Sequence, residues 1–255
     1  MPPPRTVTST VAKPAPLRHP LAQGGVLGQM TISGQSGVAW RGGVPVSERF
    51  DDPYFSLEDG LAETQHVFLS GNGLPERFRD GFHIAELGFG TGLNLLAAAL
   101  AWQAAGVAGR LCFTSFEAFP LPAAAIARAL SAFPEVAPVA APLLAAWDAG
   151  LRRFDLGPVA VAVIPGDARE TLPRWAGRAD AWFLDGFSPA KNPELWGEGL
   201  MREVAAHTAP GGSFATYTAA GAVRRALQAA GFQVERVPGY GTKRHMSRGR
   251  LTGTP

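Results

Sequence analysis

A chain of 255 residues that is 46% apolar and 17% charged has material for a sizeable core, which excludes a disordered protein and a small disulfide scaffold. Its single cysteine, Cys112, excludes an internal disulfide framework and points to a reducing compartment. The net charge of +2 is unevenly spread: residues 1–47 carry Arg5, Lys13, Arg18 and Arg41 without an acid, and from Ala222 onward seven Arg or Lys accompany only Glu235, which fits an anionic partner met by the ends.

Residues 1–25, rich in Pro and small residues, are expected to be a disordered tail and lack the apolar stretch of a secretory signal. Residues 26–80 form an N-terminal segment. In it Val38–Trp40 and Val44–Val46 flank Arg41-Gly42-Gly43 as a hairpin, and a helix is expected around Gly60–Leu69. Residues 81–255 read as the main domain. Strands are expected at Phe82–Leu87, Leu111–Phe116, Val159–Ile164, Ala179–Leu184, Ser213–Tyr217 and Phe232–Val237. Between them fall helices at Asn94–Ala105, Pro122–Ala132, Ala168–Trp175, Glu194–Thr208 and Ala220–Ala230. Apolar strands alternating with helices specify an α/β fold with a parallel sheet covered on both faces. Pro134–Pro142 reads as a surface insertion without chemistry. The longest apolar run, within Leu93–Trp102, falls well short of the roughly 20 residues of a membrane helix, so a cytoplasmic protein with no membrane partner is expected.

The first strand of the main domain ends in Glu86-Leu87-Gly88-Phe89-Gly90-Thr91-Gly92, with Asn94 at the start of the next helix. Glycines there let the backbone turn sharply and approach a ligand at a helix N-terminus. The spacing is G-x-G-x-G, not the G-x-G-x-x-G that makes room for a pyrophosphate, so a nicotinamide site is the rival reading. Glu117 ends the second strand, where an acid meets a ribose hydroxyl pair, and Asp167-Ala168 follow the third. Asp185 ends the fourth, beside the crevice where the sheet's ligands lie. The loop after it, Asp185-Gly186-Phe187-Ser188-Pro189-Ala190-Lys191, offers Phe187 for stacking on a base and Lys191 for a phosphate. The histidines show no metal spacing, and no metal is expected.

Acid-x-Gly-x-Gly-x-Gly resembles the first motif of class I methyltransferases, which bind S-adenosylmethionine and in which the acid after the third strand meets the adenine amino group. More specifically, "DAWFLDGFSPAKNPELW" resembles the signature of the MnmC methyltransferase-domain family. So do "FDDPYFSLEDGLAETQHVFLSGNGLPERF", "ELGFGTGLNLL", "SFEAFPL" and the segment from Pro210 to Gly249. The resemblance implies a Rossmann-like, mostly parallel seven-stranded sheet with a small N-terminal hairpin extension. It implies S-adenosyl-L-methionine as cofactor, held by Glu86, Gly88, Phe89, Gly90, Thr91, Gly92, Asn94, Glu117, Asp167, Ala168 and Asp185. The reaction implied is methylation of the aminomethyl nitrogen of 5-aminomethyl-(2-thio)uridine at the wobble position of tRNA. Asp185 would orient the amine; Phe187, Pro189, Lys191, Glu63 and Asn72 would meet the substrate; Lys243 and Arg244 would track phosphates near the anticodon. In many relatives an FAD-dependent oxidoreductase follows this domain. Here that step is expected to belong to a separate chain. Other readings of the same residues are an N-methyltransferase of a small amine and a non-catalytic RNA-binding module.

Overall fold

The computed structural model describes residues 37–56 and 59–252. The expected N-terminal tail and Arg5, Lys13 and Arg18 lie outside the described residues. Strands β1 (Val38–Arg41), β2 (Val44–Ser47) and β3 (Asp52–Pro53) form a small antiparallel sheet, which extends the expected hairpin by one strand. Helix α1 (Gly60–Thr64) starts on the Asp59 side chain, which accepts from Ala62 N. It runs on as a π-helical turn, Gln65–Leu69, so the expected helix is present with a widened second half.

The main sheet is built on β4 (His83–Leu87), β5 (Leu111–Glu117), β7 (Val159–Pro165), β8 (Ala179–Leu184) and β9 (Thr208–Thr216), which pair in parallel in the order β9-β8-β4-β5-β7. Three antiparallel strands complete it. β6 (Arg153–Leu156) edges β7, while β11 (His245–Leu251) lies between β9 and the far edge strand β10 (Phe232–Pro238). The sheet therefore has eight strands, and the seven-stranded expectation is corrected by the edge strand β6.

Side chains alternate between the two faces. Ala181 and Phe183 of β8 pack with Leu95, Leu96 and Trp102 of α2 (Leu93–Ala105), whereas Trp182 and Leu184 pack with Leu200 and Met201 of α6 (Glu198–Ala206) and Leu227 of α7 (Gly221–Ala229). α3 (Ala123–Leu130) and α4 (Ala137–Asp148) cover the first face, and the short α5 (Ala168–Thr171) the second.

Two expectations change here. The segment Pro134–Pro142 is no surface insertion: a 3-10 turn (Pro134–Val136) leads into α4, which buries Val139, Leu143 and Trp147 in the core. Pro138 is tolerated because the first turn needs no N–H donor, although Pro142 sits further inside the helix. The expected helix Glu194–Thr208 is broken at Gly197 into a 3-10 turn and α6, because Pro193 starts the chain in a separate turn.

No single described helix is long and apolar enough to cross a membrane. Strand order reverses between the parallel neighbours β4 and β8: the chain steps outward from β4 through β5 to β7, then returns to β8 and steps the other way to β9. The carboxyl ends of β4 and β8 open the crevice where a ligand binds in such sheets.

Candidate active site

A cavity of about 540 Å³ lies over that crevice, within the range of small-molecule sites. The glycine loop forms its floor. Gly88, Gly90 and Gly92 all have positive φ, at 85°, 52° and 76°. A side chain at Gly88 would touch the backbone of Asp185 and Gly186 at 3.4 Å, and one at Gly92 would collide with the Phe89 ring 2.9 Å away. The loop is propped from beneath by a flat stack of Phe89 on Trp147, with centroids 4.8 Å apart.

Gly88, Phe89, Gly90, Thr91 and Asn94 line the cavity, as do Glu117, Asp167 and Ala168. Glu117 is bound into the loop: its carboxylate accepts from Gly90 N at 2.9 Å and Phe119 N at 2.7 Å. Burial pushes its pKa up, and those N–H groups hold it down in part. Asp167 caps α5 through Arg169 N and is clasped by the Arg169 guanidinium, which lowers its pKa. Glu86 lies in a different place from the one expected. It is fully buried behind the floor, outside the cavity lining, and its carboxyl accepts from Ser115 Oγ and Asn94 Nδ2. Burial holds its pKa well above the usual carboxylate range, so it acts as a buried brace for Asn94. Gly92 also sits behind the lining, at the N-cap of α2.

Asp185 follows β8 at the cavity wall. Its Oδ2 accepts from Asn94 Nδ2 at 2.8 Å and its Oδ1 from its neighbour Gly186 N, while burial raises its pKa to about 6. Glu86, Asn94 and Asp185 thus form one chain of hydrogen bonds, and Thr64 Oγ1 donates to Asn94 Oδ1 to fix the amide. The loop after Asp185 is pinned on three sides: Ser188 N donates to Asp52 Oδ2, Tyr217 Oη to Gly186 O, and Trp196 Nε1 to Phe187 O.

The remaining candidate substrate residues separate into two groups. Glu63 and Lys243 face the cavity and are joined at 2.6 Å, so Lys243 does not stand free for a phosphate. Phe187 also lines the cavity, but one face of its ring is already covered by Phe50, 4.6 Å away, with Tyr54 edge-on at 5.1 Å. Asn72 is withdrawn from the site: it is buried, donating to Phe68 O and Trp182 O and accepting from Ser213 Oγ, a brace between the π-helical turn, β8 and β9. Lys191 is likewise corrected. It pairs with Asp52 at 3.4 Å and with the Asp51 backbone, tying the loop to β3. Pro189 and Arg244 lie outside the lining.

Tyr54, Phe119 and Tyr217 stand in the cavity without a motif to announce them. Burial, with the charge of Glu117, pushes the Tyr54 hydroxyl up to about 12, and burial raises that of Tyr217 as well. Their position just past the ends of β3, β5 and β9 was the available signal.

The residues present fit a nucleoside sulfonium better than a dinucleotide. Six carboxyl groups line the space against three cations, and with Glu63 paired to Lys243 and Asp167 to Arg169 the lining keeps an acidic balance that suits a cation better than a pyrophosphate. The Gly90 N–H that would meet a phosphate is taken by Glu117. Among the described residues no cluster of His, Cys, Asp or Glu suits a metal ion.

Comparison with known proteins agrees with this chemistry. A family model described as S-adenosyl-L-methionine-dependent methyltransferase matches residues 134–252. The tRNA 5-methylaminomethyl-2-thiouridine biosynthesis bifunctional protein MnmC of Chromobacterium violaceum is 48% identical over 229 residues, 86% of this chain and 35% of that protein. The same-named protein of Methylobacillus flagellatus is 46% identical over 228 residues, again 86% and 35%. Among solved structures, MNMC2 from Aquifex aeolicus superposes with a TM-score of 0.66 at 25% identity, covering 87% of this chain and 73% of that one. Spermidine synthase from Thermotoga maritima, at a TM-score of 0.50 and 10% identity, shares the fold alone.

Fold, site and family model together define an S-adenosyl-L-methionine-dependent methyltransferase. Within that class the chain is similar to the MnmC proteins over 86% of its own length, and it spans about a third of the length of the curated relatives it matches.

Proposed function

We propose that the chain methylates the aminomethyl nitrogen of 5-aminomethyl-(2-thio)uridine at the wobble position of tRNA. The observation that carries this reading is Asp185: an acceptor carboxylate at the switch point, beside the glycine loop, between aromatic walls. The names of the relatives support the substrate class. S-adenosylmethionine supplies an electrophilic methyl on a sulfonium when bound. Gly88, Gly90, Glu117, Asp167 and Ala168 are the residues that would hold it.

The protein's own part is to present a lone pair. An alkylammonium has none, so the acceptor must arrive or become neutral. Asp185, ionised above its pKa of about 6, accepts an N–H of the amine and so orients the nitrogen. Its two fixed bonds, to Asn94 and Gly186, leave its remaining lone pairs for the substrate. Phe187, with Phe50 and Tyr54 behind it, supplies an apolar wall for the uracil plane. Phe50, Tyr54 and Glu63 of the N-terminal segment then form part of the acceptor wall beside the methyltransferase domain, and a flavin-dependent oxidoreductase supplies the aminomethyl precursor.

Nucleoside analysis of tRNA bearing 5-aminomethyluridine, after incubation with the protein and labelled S-adenosylmethionine, tests this reading. Label in 5-methylaminomethyluridine is expected. Equal use of free nucleoside or polyamine would favour a small-amine methyltransferase.

A further inference from the structure

Lys243 is carried into the cavity by the turn between β10 and β11. Its ammonium donates to Glu63 Oε1 of α1 and lies 4.3 Å from the centre of the Tyr217 ring. Tyr217 in turn donates to Gly186 O, the residue after Asp185. The charged and titratable groups around this lysine come from several elements. Glu63 belongs to α1, Asp185 follows β8 and Tyr217 follows β9. Asp52 of β3 is shared with Lys191, and His66 meets Pro238 O at the foot of the turn.

The arrangement answers a difficulty in the reaction. An alkylamine with the ordinary pKa of a lysine is neutral in only about one molecule in 2,500 at pH 7. A buried carboxylate alone worsens this, because it stabilises the charged amine. A second cation at close range does the reverse: like charges disfavour one another, and the weaker-held proton leaves. Here Glu63 is already satisfied by Lys243, so it offers no berth to another ammonium.

We propose that Lys243 is a positioning residue for the acceptor: its charge, fixed on Glu63 and Tyr217, bars an ammonium from the space before Asp185 and admits the neutral, nucleophilic amine. This rests on the amine-acceptor reading above. It sets aside the role of phosphate contact, since the ammonium of this 42% exposed side chain is held on Glu63 at 2.6 Å.

The test is the pH dependence of turnover, which at saturating tRNA and S-adenosylmethionine reports groups in the complex. In Lys243→Met the acid limb due to the amine moves up by about one pH unit or more. Turnover at neutral pH falls about tenfold, and KM falls or stays level because the ammonium now binds unproductively. Lys243→Arg keeps the charge and leaves the limb near its wild-type place. Lys243→Gln, which still donates to Glu63, shifts the limb as Met does and serves if the Met variant folds poorly. The limb of Asp185 itself, near pH 6, is separate from that of an amine.

A Lys243→Met enzyme with wild-type turnover at every pH, a raised KM and a shallower salt dependence would make Lys243 a phosphate contact and overturn the proposal. An Arg variant shifted as far as Met would do so too, by showing that packing rather than charge matters. Wild-type protein that leaves aminomethyl tRNA unmethylated overturns the acceptor assignment, and this inference with it.

Discussion

Asp185 meets two opposing demands. Folding favours its protonated form, since burial raises its pKa from 3.8 to about 6, whereas the proposed orienting of an amine needs the carboxylate. The sign follows directly. A carboxyl whose folded pKa is raised contributes stability at low pH and loses it as pH rises from about 4 to about 6. About two units correspond to a cost of up to roughly 3 kcal/mol at neutral pH in the ligand-free protein. In Asp185→Ala the fall in urea midpoint across that window should therefore flatten, while turnover drops about a hundredfold or more. An alanine variant that methylates at the wild-type rate would reduce Asp185 to a structural group. Glu117 makes a second case. Its carboxylate anchors Gly90 and Phe119 besides any ligand, so Glu117→Ala should weaken S-adenosylmethionine binding by roughly 1.5–3 kcal/mol per lost charge-assisted bond. Calorimetry showing unchanged affinity would remove it from the cofactor site.

At the scale of elements, α4 is the support on which the glycine loop rests. Trp147 stacks on Phe89 and donates its indole N–H to Leu121 O, so Trp147→Ala leaves both a cavity and an unpaired carbonyl. A loss of about 3–5 kcal/mol in denaturant unfolding is expected, together with weaker cofactor binding. Gly92→Ala should cost about 1–3 kcal/mol through its left-handed φ, and more through the clash with Phe89. The central strands were legible because runs such as Trp182-Phe183-Leu184 are buried on both faces. α4 was obscured by its prolines, although Val139, Leu143 and Trp147 carry helical spacing. β11 was hidden for another reason. Its Gly249 lowers strand propensity, yet any side chain there would strike the Phe214 ring and the β10 backbone, so tertiary packing selects the glycine. The four-residue edge strand β6, half exposed, offered too little pattern to read.

At the scale of the whole molecule, the cavity-lining acids Glu117 and Asp167 were readable at strand ends, whereas Glu86, read by the same rule, lies buried behind the floor. The acceptor side was not readable. It is assembled from residues far apart in sequence, and pairings such as Lys191 with Asp52 or Lys243 with Glu63 leave no local trace. If the exposed cations of the last elements track phosphates, tRNA affinity must fall steeply with salt. Arg244→Ala should then lower the slope by about 1 unit while S-adenosylmethionine affinity holds, because Arg244 lies outside the cavity lining. A slope unchanged in that variant would place the RNA on another face.

The hydrogen bond from Ser188 to Asp52 spans 136 residues and fastens the acceptor loop to the small N-terminal sheet. Asp52→Ala releases that fastening, along with one of the two partners of Lys191, and should raise the KM for the acceptor while leaving cofactor affinity alone. The cavity is therefore held by two separate fastenings. The glycine loop rests on α4 through Phe89 and Trp147, whereas the loop after Asp185 hangs on a short outer ribbon, so a change in that ribbon shifts one wall and leaves the other in place.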